Sequence, residues 1–165
     1  GENGGCVVVI DGATNEKIAR IPTGQKVFAL CYNSRNNKVY AADYLADSVV
    51  VIDGACNRVI AAVGTDHRPY ALCYNPAANK VYCANLVGRT VTVIDGVTDK
   101  AIATVAANDN PWALCYNSRD DKIYTANLES DDVTVIDGAT DSVVASVYTG
   151  SSAHPWALCY NCQDD

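Results

Sequence analysis

Carboxylates recur along this 165-residue sequence, and the four most regularly placed ones are aspartates that each precede a glycine. Repeated carboxylates could act as metal ligands or as a general acid–base pair. A single active site does not need four copies of one local sequence, however, and an Asp-Gly pair is typical of a tight turn. We therefore interpret four residues as turn formers: Asp11, Asp53, Asp95 and Asp137.

The eight cysteines form two groups. Four of them share one position of a recurring ALCYN run, where small thiols suit a crowded core, and we interpret them as free thiols: Cys31, Cys73, Cys115 and Cys159. A metal-binding ring of these thiols is the alternative, but no CxxC pair or closely spaced histidine pair supports it, and we predict no metal. The other four have no counterpart in the recurring pattern and are candidates for disulfides or for bonds between molecules: Cys6, Cys56, Cys83 and Cys162.

Residues that could form a nucleophile–base pair are not evident. The two histidines, His67 and His154, lie in polar loop sequences without a local partner that would make a catalytic set. The sequence also has no phosphate-binding glycine-rich loop, zinc signature or dinucleotide-binding fingerprint. It therefore predicts a protein that is not an enzyme and that holds no cofactor.

One aromatic residue recurs near the start of each ALCYN run, and three of the four follow a proline. Such a set either forms a stacking platform for a ligand or fills space between structural units. Nearby loops, 44–47, 86–89 and 128–132, differ most between copies, and loop variation in a repeat scaffold usually marks a binding face. The candidate binding residues are Phe28, Tyr70, Trp112, Trp156, Asp66, His67, Arg68 and His154.

These residues recur because the whole sequence recurs with a step of 42 residues. Each copy contains four short β-prone runs separated by turn sequences, and no run has the apolar stripe of a helix. Four strands in such a unit are typical of a β-propeller blade. The sequence predicts an all-β fold in which 1–165 is a single propeller segment of four-stranded antiparallel blades. Its repeats are 6–47, 48–89, 90–131 and a partial last one, 132–165.

The runs KVYCAN, TVTVIDGVTDKAIATV and PWALCYN resemble the YVTN-type β-propeller repeat, whose relatives include surface-layer-like and seven-bladed proteins. The resemblance implies that PWALCYN is the innermost strand of a blade, KVYCAN the second, TVTVID the third and AIATV the outer one. It also implies an extracellular or cell-envelope location.

The composition of the chain argues against two classes of partner. The formal net charge of −7 repels phosphate backbones, so we expect no nucleic-acid partner. Apolar residues make up 49% of the chain, but no apolar run approaches the roughly 20 residues of a membrane helix, so we expect no membrane insertion.

These observations predict a non-catalytic binding or structural module whose partner is a protein or a cell-surface ligand. One alternative is a self-assembling subunit of a surface layer or extracellular fibre, which binds copies of itself. The other is a fragment of a quinoprotein-like or lactonase-like propeller enzyme.

The strand count is uneven. The first predicted run, at Val7, is a third strand, and the last, at Tyr160, is an inner strand, but second strands begin only at Lys38, Lys80 and Lys122. We expect either an excerpt of a longer propeller or an open arc of blades. The alternatives are a partner that donates the missing strand and a closed four-bladed ring with one three-stranded blade.

Overall fold

The computed structural model describes residues 4–163, which consist of antiparallel strands joined by short turns. Within this part of the chain, no helix is long and apolar enough to cross a membrane. The strands are β1 (Gly5–Ile10), β2 (Lys17–Gly24), β3 (Val27–Asn33), β4 (Lys38–Asp43), β5 (Ser48–Asp53), β6 (Arg58–Gly64), β7 (Pro69–Asn75), β8 (Lys80–Asn85), β9 (Thr90–Asp95), β10 (Lys100–Ala106), β11 (Pro111–Asn117), β12 (Lys122–Asn127), β13 (Asp132–Asp137) and β14 (Ser142–Tyr148).

The strands form three complete blades and one half blade. Blade 1 is β3–β6, blade 2 is β7–β10 and blade 3 is β11–β14, and in each of them the strands pair antiparallel in sequence order. The half blade contains only β1 and β2. This arrangement confirms the predicted β-propeller class with four-stranded blades and an incomplete one.

The last predicted strand does not form. Residues 155–161, expected to be an inner strand, adopt no regular strand, and β1 hydrogen-bonds to β2 alone in its sheet. A regular strand needs a neighbour for its backbone groups, and within residues 4–163 the strands of the half blade pair only with each other. The structure is therefore an open arc rather than a closed four-bladed ring.

The core lies between the blades. One apolar cluster joins blades 1 and 2, a second joins blades 2 and 3, and a third joins the half blade to blade 1. Repeat-equivalent residues occupy the first two clusters: Tyr40 and Val51 belong to the first, and Tyr82 and Val93 belong to the second. All four are 0% exposed. Because both faces of a middle strand are covered, these strands are apolar almost throughout. The outer strands β6 and β10 are exposed except on the side that the next blade covers, whereas β14 is exposed along its whole length.

Neighbouring blades are also joined by a polar contact that recurs. The Lys38 ammonium lies 2.7 Å from an oxygen of the Asp99 carboxylate on the next blade, and the Tyr40 hydroxyl donates to the other oxygen at 2.8 Å. Burial and the adjacent Asp99 carboxylate raise the pKa of Tyr40, so the hydroxyl remains a donor well into alkaline solution. The contact recurs one blade later among Lys80, Tyr82 and Asp141.

The repeated aspartates close turns, as predicted. Asp95 ends β9, and its Oδ1 accepts hydrogen bonds from the backbone N–H groups of Val97 at 3.1 Å and Thr98 at 2.7 Å. These bonds favour the charged carboxylate, and the Thr98 N–H in particular lowers the pKa of Asp95. The equivalent turns carry the same bonds at Asp11, Asp53 and Asp137.

Three of the four glycines that follow these aspartates lie close to a neighbouring turn: Gly54, Gly96 and Gly138. At Gly96, an added Cβ would lie 2.7 Å from the carbonyl oxygen of Asn79 and 2.6 Å from the side-chain nitrogen of Asn33. At Gly12, the equivalent position of the half blade, an added Cβ would meet nothing within 4 Å. The same Asp-Gly pair is therefore a packing requirement in the three complete blades and only a turn in the half blade.

We predict that Gly96→Ala lowers the free energy of unfolding by about 1–3 kcal/mol, because the new methyl group overlaps backbone and side-chain atoms that cannot both move away. Gly12→Ala is the matched control and should change stability by less than about 0.5 kcal/mol. Denaturant unfolding of both variants measures this. Equal losses for the two variants would contradict the packing argument.

A double-mutant cycle measures the contact between blades. Lys38→Met and Asp99→Asn should each destabilise the protein, and the cycle should give a coupling energy of about 1–3 kcal/mol, because both charged groups are mostly buried. Lys122 holds the same position in blade 3 and makes no ion pair within residues 4–163, so Lys122→Met should show no coupling to Asp99→Asn. Strict additivity of Lys38→Met and Asp99→Asn would show that the contact contributes nothing.

Candidate functional site

Two sets of loops meet at one end of the blades, as the antiparallel strand order predicts. The loops that lead into inner strands and the loops between second and third strands hydrogen-bond to each other through their backbones. The N–H of Tyr44 donates to the carbonyl of Lys26 and that of Leu86 donates to the carbonyl of Arg68, both at 2.8 Å. We call this end of the arc the aromatic face, because it carries the four recurring aromatic residues.

The four aromatic residues form a continuous row, here called the aromatic strip: Phe28, Tyr70, Trp112 and Trp156. Successive ring centroids lie 5.0, 4.4 and 4.9 Å apart. The rings thus pack against one another, as the space-filling interpretation expects. The ends of the strip are nevertheless open, since Phe28 is 43% and Trp156 58% exposed. The contacts between the rings agree with the space-filling interpretation, and the stacking platform for a ligand stays a prediction.

A backbone irregularity aims these rings. The pairing of each inner strand with its second strand shifts register at the aromatic position, between Pro69 and Ala71 in blade 2 and between Pro111 and Ala113 in blade 3. Blade 1 has the same shift around Phe28. Such bulges redirect one side chain without ending the strand, and here they direct the rings along the aromatic face.

Two cations lie on aromatic rings at one end of the strip. Lys26 Nζ is 4.8 Å from the centroid of the Phe28 ring, and the Arg68 guanidinium is 4.7 Å from that of Tyr44. The Tyr44 ring meets Phe28 edge-on at 4.8 Å and so extends the strip sideways. Cation–π contacts of this kind hold a charged group in place without neutralising it.

Lys26 and Tyr44 were not among the predicted site residues. The signal for Lys26 was its repeat position, because Lys26 and Arg68 both stand directly before an inner strand. The signal for Tyr44 was a departure from the pattern, since Leu86 and Leu128 occupy the equivalent positions. The contact between Tyr44 and Arg68 joins two blades and could not be deduced from either residue.

Charged loops join the blades along the aromatic face. Asp47 accepts the backbone N–H of Arg68 at 2.8 Å and lies 3.1 Å from Nδ1 of the exposed His67. The N–H of Arg68 is the main reason that the pKa of Asp47 lies below its usual value. At the junction between blades 2 and 3, the basic and acidic positions are exchanged. Arg89 occupies the repeat position of Asp47 and pairs with Asp109 at 3.0 Å.

The remaining candidates hold loops in place. Asp66 accepts the hydroxyl of Thr90 at 3.0 Å and the N–H of His67 at 2.8 Å, which makes it a structural residue beside the strip. His154 donates its N–H to Asp131 at 2.9 Å, and its Nδ1 lies 2.9 Å from the carbonyl oxygen of Leu128. The structure therefore brings all eight predicted binding residues to the aromatic face, where Asp66 and His154 are engaged in loop contacts.

The eight cysteines are free thiols in the structure. Burial raises the pKa of Cys31 to about 11 and that of Cys73 to about 12, so these thiols are neutral and poorly reactive at pH 7. Cys83, expected as a candidate for a bond between molecules, is 0% exposed and cannot reach a partner without opening its blade. Cys56 and Cys162 are exposed and Cys6 is partly buried. Across residues 4–163, no three His, Cys, Asp or Glu side chains are arranged to hold a metal ion.

Comparisons with known proteins agree with this architecture. The sequence model of a family described as YNCE-like beta-propeller matches residues 3–165. No curated protein sequence matches the chain. Among solved structures, hydrazine synthase of Kuenenia stuttgartiensis is similar with a TM-score of 0.78 and 18% identity, over 86% of this chain and 42% of that one.

A functionally unknown protein from Desulfotomaculum acetoxidans is similar with a TM-score of 0.74 and 17% identity, over 86% of this chain and 48% of the other. The chain thus spans less than half the length of both structures. At these identities the similarity concerns the fold alone.

Proposed function

The chain belongs to the YNCE-like β-propeller family, and from that premise we propose that it is a non-catalytic binding module whose ligand docks on the aromatic face. The observation that carries the proposal is the aromatic strip with exposed ends, mounted on rigid blades. Large aromatic surfaces are the groups that contribute most to recognition when a ligand covers them. The strands beneath the strip are fixed by the contacts between blades, so little conformational freedom is lost on binding.

The charged groups of the aromatic face support binding rather than catalysis. Both histidines lie beside an aspartate, but within residues 4–163 neither imidazole has a hydroxyl or thiol partner that it could activate. The partly buried acids Asp47 and Asp131 have lowered pKa values, which suits loop closure and not proton donation near pH 7. We place the module in the cell envelope or outside the cell because of its resemblance to surface-layer-like repeats.

A second function, self-assembly, is favoured by a separate observation. Val147 on β14 is 52% exposed, whereas the equivalent residues Val63 and Val105 are 5% and 6% exposed because a following blade covers them. At the inner strands of the same blade, a cleft of about 280 Å³ opens between Cys115, Asn117 and Tyr124 and residues 158–161. The trailing face of blade 3 is thus half of an interface between blades, and another copy of the chain could cover it.

The binding proposal is tested by tryptophan fluorescence, since the only two tryptophans of the chain, Trp112 and Trp156, both lie in the strip. In a screen of soluble oligosaccharides and peptides, a ligand should change the emission. The double variant Trp112→Ala, His67→Ala should then weaken binding at least about tenfold by calorimetry, because it removes a ring and a polar contact.

Arg119→Gln is the control, because Arg119 is exposed in a turn at the opposite end of the blades. A ligand whose affinity falls with Arg119→Gln and not with the double variant would refute the proposal.

Self-assembly predicts that the chain sediments as species larger than a monomer, and that Val147→Asp restores the monomer by placing a charge on the uncovered face. Val144→Asp is the control: Val144 is 53% exposed, and its equivalents Ile60 and Ile102 are also exposed, so no blade covers this position. Sedimentation velocity with and without reductant separates the routes. Species lost on reduction indicate cysteine links, and a monomer at every concentration contradicts self-assembly.

A further inference from the structure

We infer that the half blade binds an extended segment of another polypeptide, with the pattern Lys-(Val/Ile)-Tyr-x-Ala-(Asn/Asp), as an added strand beside β1. This surface runs along the half blade rather than across the aromatic face, so the inference goes beyond the proposed function and does not depend on it. It follows from the contacts that second strands make in the complete blades.

The edge of β1 that lies away from β2 is here called the β1 edge. Within residues 4–163, β1 pairs with β2 alone, whereas the third strands β5, β9 and β13 each pair with a strand on both sides. The backbone N–H and C=O groups of such an edge are a template for a further strand. Val8 and Ile10 of β1 are 48% and 62% exposed, so the half blade also presents apolar side chains.

The sequence of the added strand is read from the complete blades. There, the strand beside the third strand is KVYAAD in β4, KVYCAN in β8 and KIYTAN in β12, and each pairs antiparallel without a register shift. Residues 6–11 read CVVVID, and the third strand β5 reads SVVVID. The β1 edge is therefore nearly identical in sequence to the edge on which β4 pairs.

At both junctions between complete blades, the lysine and tyrosine of the second strand bind a turn of the next blade. Lys80 Nζ donates to the carbonyl oxygen of Gly138 at 3.0 Å and lies 2.7 Å from Asp141 Oδ2. The Tyr82 hydroxyl donates to the other oxygen of that carboxylate at 2.7 Å. The junction between blades 1 and 2 has the same contacts. Lysine and tyrosine thus identify a strand that belongs at such a junction.

By the repeat, the equivalent turn of blade 1 faces the half blade. It spans residues 54–57, and in the described part of the chain no lysine or tyrosine side chain binds it. Its backbone matches the turn that binds Lys80, because Asn57 and Asp141 have φ values of 56° and 54°. The acidic residue Asp53 directly precedes it and adds negative charge. The turn can therefore accept a lysine and a tyrosine from an added strand.

Blade 1 is also less covered where a tyrosine packs on the other blades. Val81 and Ile123 are 0% exposed, and each shares an apolar cluster with the second-strand tyrosine of the preceding blade, Tyr40 or Tyr82. Val39, the equivalent residue of blade 1, packs beside the half blade and remains partly exposed. The tyrosine of an added strand would cover Val39 as the other two tyrosines cover its equivalents.

The inner strand of blade 1 is exposed on the same side. Leu30 and Tyr32 are each 54% exposed. Their equivalents in the next two blades are only partly exposed: Leu72, Tyr74, Leu114 and Tyr116. The β1 edge, the turn at 54–57 and this apolar surface together form a groove that continues the interface between the complete blades. A strand with lysine and tyrosine near its start matches all three parts.

The probe is a fluorescently labelled peptide with the sequence of residues 119–129, RDDKIYTANLE, and its binding to the full chain is measured by fluorescence anisotropy. Saturable binding is expected, and a scrambled peptide of the same composition should not bind. Hydrogen exchange locates the peptide: the backbone amides of β1 should become protected, whereas those of β13 should not change. Lys122→Met or Tyr124→Phe in the peptide should weaken binding about fivefold, because each removes one hydrogen-bonding group.

A gain of affinity tests the groove from the protein side. Asn57→Asp should strengthen peptide binding about fivefold at low salt, and added salt should reduce the gain, because the lysine then meets a carboxylate. The gain should vanish with the Lys122→Met peptide. Asn15→Asp is the matched control, since Asn15 holds the same repeat position with a φ of 60°. This position binds the preceding blade and not its own, so Asn15→Asp should leave the affinity unchanged.

Several outcomes would overturn the inference: no binding, equal binding of the scrambled peptide, or protection of other strands instead of β1. Protection of β1 that grows with protein concentration and needs no peptide would assign the groove to a second copy of the chain and overturn it as well. Equal gains from Asn57→Asp and Asn15→Asp would refute the lysine contact and with it the sequence pattern. None of these results bears on the aromatic face, which the tryptophan fluorescence screen tests separately.

Discussion

Each blade of this protein can bury its faces only against another blade, and the rest of the structure depends on that constraint. The middle strands are apolar on both sides, so an isolated blade would expose them. Asp99 forms an ion pair with Lys38 and accepts a hydrogen bond from Tyr40. These contacts fix the alignment of neighbouring blades, because they form in only one register of the two blades. The glycine at position 96 then allows the turns to approach closely.

This packing explains how the loops of the aromatic face bring their side chains together. The bulge at the start of each inner strand aims one ring along the blade end, and the angle between blades brings successive rings into contact. Because the backbones beneath are fixed, the loops can vary without loss of fold. Lys26, Tyr44 and Arg68 are the residues in which this variation has placed two cations on aromatic rings.

The arrangement also separates structural charges from available ones. Most carboxylates of the aromatic face hold backbone N–H groups or pair with a neighbouring loop, as Asp47 and Asp131 do. Their charge is used in closing the junctions between blades. The cations Lys26 and Arg68 lie on aromatic rings instead, and neither forms a salt bridge within residues 4–163.

The sequence alone determined the blade class, the strand order and the turns, because these depend on local patterns that recur every 42 residues. The turn roles of Asp95 and its equivalents followed for the same reason, since each carboxylate binds N–H groups two and three residues away. The tertiary structure decided the rest. Whether residues 155–161 form a strand depends on a neighbour, and the contact of Tyr44 with Arg68 depends on the angle between two blades, which no single repeat contains.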